Sequence, residues 1–200
     1  MKDKPLFAVV YMFVITAFFS AVLIGFARLT RDKVEMNKQI AFEKAVLQVF
    51  PQIKAATNTQ THQIFTEQFE KTSSGYIYRK DGQIVGYAVP VEGQGYWALI
   101  KGIIGITPDK QVITGVAFYE QSETPGLGAR IVEPDFCDAF VGKKLAPGEA
   151  PIGIRPEGTA LKKSEIHAIT GATQTCVRLE ILINDGLTQW RQANEEGPKE

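Results

Sequence analysis

The chain has 200 residues, enough for one ordinary domain plus an anchor. Lysine plus arginine and aspartate plus glutamate number 22 each, so the formal net charge is zero and the basic footprint of a nucleic-acid binder is missing. Two cysteines and two histidines, with no Cys-x-x-Cys, exclude a disulfide scaffold and argue against an iron–sulfur cluster, a zinc site or a paired-imidazole haem.

Leu6 to Phe26 carries no charge. At about 21 residues it is long enough to cross a hydrocarbon core as a helix, which satisfies its own backbone there. A buried core helix and a cleaved signal peptide are the rival readings. Gly25-Phe26-Ala27 loosely resembles a cleavage site, but the apolar stretch is long for a signal. Lys2 and Lys4 precede the span and Arg28, Arg31 and Lys33 follow it, so the positive-inside count does not favour a cytoplasmic N-terminus.

Thr30 to Phe50 reads as a helix. Thr30, Asp32 and Glu35 stand near its start, Pro51 follows as a stop, and the helix is placed to prolong the span as a stalk. Ala55 to Gln63 is polar and threonine-rich and reads as a loop; Ile64, Phe65 and Phe69 are compatible with a short helix or a strand. From Gly75 to Val91 two apolar runs flank Asp81-Gly82, a strong hairpin signal. Gly93-Gln94-Gly95 breaks the chain, Tyr96 to Ile106 and Val112 to Tyr119 are two further strand-like runs, and Thr107-Pro108-Asp109-Lys110 separates them. Short strands joined by tight turns predict an antiparallel sheet, and helices grouped at the two ends of the chain predict an α+β fold. No phosphate-loop lysine follows the glycines, so a P-loop is excluded.

Tyr96 and Trp97 follow that glycine-flanked break, placed either to stack on a planar ring or to point to opposite sides of a strand. Glu123-Thr124-Pro125-Gly126-Leu127-Gly128 has the chemistry of a type II turn: proline presets the second position and Gly126 accepts a positive φ at the third. Its amides and Leu127 suit the edge and face of a flat ligand, with Glu123 orienting the turn or bonding a ligand hydroxyl. Asp135 to Phe140 reads as one or two helical turns, and Pro147 to Glu157 as a surface loop. Lys143, Lys144, Arg155, Lys162 and Lys163 make this region basic, mostly as solvated surface. Last comes Thr170-Gly171-Ala172-Thr173, ahead of the apolar-periodic run Val177 to Trp190. Threonines favour helix starts, Gly171 and Ala172 leave the backbone approachable, and first-turn amides favour an anion. An ordinary capped helix fits the same residues. Cys176, near that helix start, is either a thiol acidified by the helix dipole or half of a bridge to Cys137.

The two motifs in this order behind an N-terminal span, with the Gly-x-Gly-aromatic segment upstream of both motifs, resemble the FMN-binding domain family, which includes subunits of the Rnf electron transport complex and of the sodium-translocating NADH:quinone reductase. The resemblance runs from about Gly75 to the C-terminal helix. It implies FMN bound covalently, through a phosphoester, to Thr173. It further implies that Thr170, Gly171, Ala172, Thr175, Glu123, Thr124, Gly126, Leu127, Gly128, Tyr96 and Trp97 form the cofactor-binding set, with no catalytic residue of the chain's own and no metal. His167 departs from the pattern, because the flavinylation motif usually carries an acidic residue there. The implied arrangement is a cytoplasmic N-terminus at 1–5, a transmembrane helix at 6–26, a helical stalk at 27–71 and an extracytoplasmic FMN domain at 72–200. The implied role is that of an electron-transfer subunit of an ion-translocating complex, nearer the Rnf branch, rather than a stand-alone enzyme. Its partners would be the other subunits, a flavin transferase for maturation and the cell membrane, with no nucleic acid. The alternative from another class is a membrane-tethered flavin-binding sensory or assembly module without turnover.

Overall fold

The computed structural model describes residues 5–195; Lys2 and Lys4, and most of the N-terminal segment expected on the cytoplasmic side, lie outside the described residues. The chain divides into two units, residues 1–40 and 41–200. The first unit is helical. It belongs to α1 (Pro5–Gln48), which is continuous, so the separate helix start expected at Thr30 does not occur. The Thr30 hydroxyl bonds back to the Phe26 carbonyl at 3.0 Å and caps nothing. Every side chain from Leu6 to Phe26 except Ile15 is exposed, which removes the reading of a buried core helix. The most apolar 18-residue window of this helix has a mean hydropathy of 2.5, and its length suffices to cross a bilayer.

The second unit is built on a five-stranded antiparallel meander, β1 (Phe69–Lys71), β2 (Tyr76–Lys80), β3 (Gln83–Gln94), β4 (Leu99–Ile106) and β5 (Ile113–Glu120), ordered as in the chain. The fold is α+β, as expected: an apolar N-terminal helix, then an antiparallel sheet flanked by helices. The β2–β3 hairpin closes on Asp81 (φ 52°) and Gly82 (φ 76°), the pair of positive φ values that a type I′ turn requires. Side chains alternate between two hydrophobic clusters. Tyr87, Val89, Ile104, Val116 and Phe118 enter one, and Ala88, Ile103 and Ala117 the other. Both faces are therefore covered, which explains why β4 is apolar from Gly102 to Ile106.

One cover is made by the end of α1, the turn after it and α2 (Asn58–Gln68), whose Phe42, Val46, Val49, Phe50, Ile64 and Phe65 join the second cluster. Ala55 to Gln63 is thus not a loop throughout. Thr57 caps α2, its hydroxyl accepting from Gln60 N–H at 3.2 Å, while the Gln60 side chain accepts from Ala56 N–H at 3.0 Å. Phe69 falls on β1. Where the chain leaves α1, the Val49 carbonyl accepts from the Thr114 hydroxyl at 2.7 Å. That approach needs Gly105 and Gly115, paired across β4 and β5: a β-carbon there would stand 2.7 Å from Val49 O and 2.8 Å from Val49 Cα.

The other cover is α4 (Thr173–Glu195), with Leu179, Leu182, Ile183, Leu187 and Trp190 in the first cluster. A 3-10 helix (Gly128–Val132), α3 (Pro134–Asp138) and a parallel pair, β6 (Gly153–Arg155) and β7 (Glu165–His167), complete this layer. The expected surface loop at Pro147–Glu157 is corrected here. Ile152 and Ile154 are core residues, and Asn184 Oδ1 accepts from the Ile152 N–H at 2.9 Å.

Candidate functional site

Two turns face each other at the start of α4. In Thr124-Pro125-Gly126-Leu127, Leu127 N–H donates to Thr124 O at 3.1 Å and Gly126 has φ 72°, the expected type II geometry. In Ile169-Thr170-Gly171-Ala172, Ala172 N–H donates to Ile169 O at 3.0 Å and Gly171 has φ 84°. The second turn delivers the chain into α4, where Cys176 N–H donates to Ala172 O at 3.0 Å. The amides of Thr173, Gln174 and Thr175 belong to the first turn of the helix, where backbone donors have no intrahelical acceptor.

Between the turns lies a cleft of about 300 Å³, lined by Tyr96, Glu123, Thr124, Leu127, Gly128, Gly171, Ala172, Thr173, Gln174 and Thr175. Nine of these ten are expected from sequence; Gln174, the exception, is exposed inside the motif itself. Thr173 and Gly171 also border a second cavity of about 330 Å³, with Ile154, Pro156, Ile169, Cys176 and Val177 among its apolar walls. Exposed Thr173 therefore stands on the ridge between two cavities. Thr170 borders the second cavity but not the first, and Gly126 and Trp97 line neither.

Glu123 ties the cleft together. It is 5 % exposed, Oε1 accepts from Trp97 N–H at 3.0 Å, and Oε2 accepts from the Thr175 hydroxyl at 2.7 Å. Trp97 is further fixed by its indole N–H, which donates to Thr124 Oγ1 at 3.1 Å. Tyr96 and Trp97 precede β4 rather than forming part of it, so the reading of two strand residues on opposite sides is corrected. Both rings are exposed, edge to face, with centroids 5.0 Å apart.

Other polar groups are committed elsewhere. The Thr170 hydroxyl donates to Glu157 Oε2 at 2.7 Å. Arg155 donates to Glu165 at 3.0 Å and to Glu180 at 2.9 Å, so this cation serves the β6–β7 pair and not an open phosphate seat. Lys143 and exposed His167 border a third cavity, of about 530 Å³, together with Arg130, Glu133 and Glu157. Cys137 and Cys176 are buried and unbridged. The acidified thiol expected at Cys176 is corrected, because burial pushes this thiol up; burial, then nearby Asp138, pushes Cys137 up to about 11.

The family comparison falls on this region. Residues 95–188 match the FMN-binding domain family. This segment is similar to that family's domain. The matched segment contains both turns, the cleft and most of α4. Over 131 residues the chain is 33 % identical to the NqrC subunit of the Na(+)-translocating NADH-quinone reductase of Haemophilus ducreyi, covering 64 % of this chain and 49 % of that protein. Over 98 residues it is 38 % identical to the same subunit of Neisseria meningitidis serogroup A, covering 48 % and 38 %. The chain thus spans about half or less of the length of these relatives. Their names are those of the quinone-reductase branch rather than the Rnf branch. A crystal structure of the NqrC subunit from Parabacteroides distasonis superposes with a TM-score of 0.66 at 19 % identity, over 80 % of this chain and 94 % of that one. NqrC of Shewanella oneidensis gives 0.65 at 18 %, over 78 % and 99 %. At such identities these two establish the shared fold.

Proposed function

We propose that the protein is a membrane-anchored flavoprotein subunit that relays electrons through FMN tethered to Thr173 by a phosphoester, as part of a redox-driven, ion-translocating membrane complex. The observation that carries this reading is the placement of Thr173: an exposed hydroxyl at the start of α4, on the rim of a cleft whose other wall is the Thr124–Leu127 turn. The fit to FMN is chemical as well as spatial. Leu127 and Tyr96 offer apolar faces to a flat ring, and the turn offers backbone groups to its polar edge. The first-turn amides and dipole of α4 favour the phosphate. Glu157, held on the opposite side by Thr170, repels it from the second cavity.

FMN, when bound, supplies the redox chemistry, and the chain supplies orientation and the tether. A covalent tether keeps the local concentration of the group high where a dissociated cofactor would be lost, which suits a domain on the extracytoplasmic side. The exposed apolar face of α1 supports a single-pass anchor in the cell membrane. The names of the relatives support the other subunits of an NADH–quinone reductase as partners, and the phosphoester calls for a flavin transferase during maturation.

The test is the mass of the full-length protein purified from its native host. The expected result is a mass greater than the amino-acid sum by one FMN less one water, with flavin fluorescence that stays with the polypeptide on denaturation. Thr173→Ala is expected to lose both while the protein stays folded. A native protein weighing only its amino acids refutes the tether, and flavin retained by the Thr173→Ala variant moves the attachment elsewhere. Co-purification with integral membrane redox subunits separates a relay from a sensory module.

A further inference from the structure

Glu123 is a buried carboxylate whose partners are neutral. Trp97 N–H and the Thr175 hydroxyl satisfy its oxygens, and its own N–H donates to Gln121 Oε1 at 2.7 Å. Among the described residues no ion pair includes it. The surroundings are shaped to hold it. A β-carbon on Gly95 would stand 2.6 Å from Oε1, and one on Gly128 would stand 2.9 Å from Oε2. Three segments distant in sequence thus converge on one carboxyl group, which lines the same cleft as Thr173. Hydrogen bonds from neutral donors stabilise a carboxylate without cancelling its charge, and a charge away from bulk water is weakly screened.

We propose that Glu123 is a positioning residue with a second effect: its fixed negative charge lowers the reduction potential of the flavin held at Thr173. Reduction adds electrons to a ring seated in the cleft, and a nearby anion, itself shielded from water by burial, opposes that addition. The inference rests on the reading of Thr173 as the attachment point. The two fail differently: the attachment fails as a missing mass increment in the native protein, before any potential is measured.

The experiment is a spectroelectrochemical titration of the flavin-loaded full-length protein, with loading checked by mass. Glu123→Gln keeps the shape and removes the charge, and the Thr175 hydroxyl can rotate to accept from the new amide. The reduced form is expected to be favoured about tenfold, which for a two-electron couple is about 30 mV upward. Glu123→Asp and Thr175→Val keep the charge while disturbing the packing, and both are expected to stay within about threefold of the native protein. A rise of less than threefold in Glu123→Gln, or an equal rise in either charge-keeping variant, overturns the proposal. If Glu123→Gln does not fold, the other two decide: a tenfold rise in either refutes the charge effect, and unchanged potentials in both sustain it.

Discussion

Leu127 lies against Gly171 so closely that a β-carbon on Gly171 would stand 3.1 Å from Leu127 Cδ2. The contact joins the two facing turns across 44 residues of chain (171 minus 127). Gly171 also has φ 84°, a left-handed conformation costing an L-residue about 1–2 kcal/mol. Gly171→Ala is therefore expected to lose about 1–2 kcal/mol plus a steric increment, read as a lower urea midpoint. Gly126→Ala is the control, with φ 72° and no atom within 4 Å of its added carbon. It is expected to show the backbone cost alone, and equal losses would mean that the Leu127 contact yields freely.

Helix α2 should depend on its cap. Thr57→Ala removes the acceptor for Gln60 N–H and is expected to cost about 1 kcal/mol, measured by chemical denaturation. Gln60→Ala, which frees Ala56 N–H into solvent, is expected to cost less.

Two carboxylates set an acid limit. The backbone N–H of Lys162, then Arg155, holds the Glu165 carboxyl below its ordinary value against partial desolvation, and the Thr107 hydroxyl, then the Gln111 amide, does the same for Asp109. A depressed folded-state pKa means that the unfolded chain takes up these protons first as pH falls. The stability they contribute is present above the ordinary carboxylate range and is lost as pH drops through the folded values. Urea midpoints recorded from pH 7 downward should fall below about pH 4.5, and more gently in Glu165→Gln. A decline of unaltered slope in that variant would remove Glu165 as a contributor.

The thiols give an alkaline counterpart. Both are buried, and Cys137 is pushed up to about 11. A raised folded value contributes stability that is complete below the unfolded thiol pKa and is lost as pH rises through the folded one. In the native protein at pH 8, Cys137 and Cys176 should resist a thiol-specific disulfide reagent and react only on unfolding. Prompt labelling of one thiol under native conditions would contradict its burial.

What is legible in the sequence follows from local chemistry. Asp81-Gly82 and Thr124-Pro125-Gly126-Leu127 carry their backbone angles in their residue types, and both turns occur as expected. Helix α2 escapes a reading by periodicity because its composition is polar, although Thr57-x-x-Gln60 is a capping signature that points to it. Ile152 and Ile154 read as surface because prolines and glycines surround them. Their burial comes from α4 packing over a segment some 30 residues earlier, as in the bond between Ile152 and Asn184. The carboxylate of Glu123 is visible as a residue but not as a junction, since its partners lie 26 and 52 positions away.

The glycine pair beneath Val49 has a mechanical consequence. Because Val49, just past the end of α1, rests on Gly105 and Gly115, the exit of that helix is fixed to β4 and β5 through backbone contact rather than through a pliable side chain. Of these two strands β4 is paired on both sides, while β5, like β1, lies at a border of the sheet. A side chain at either glycine would therefore lift Val49 off these strands and loosen the joint between the helix exit and the sheet.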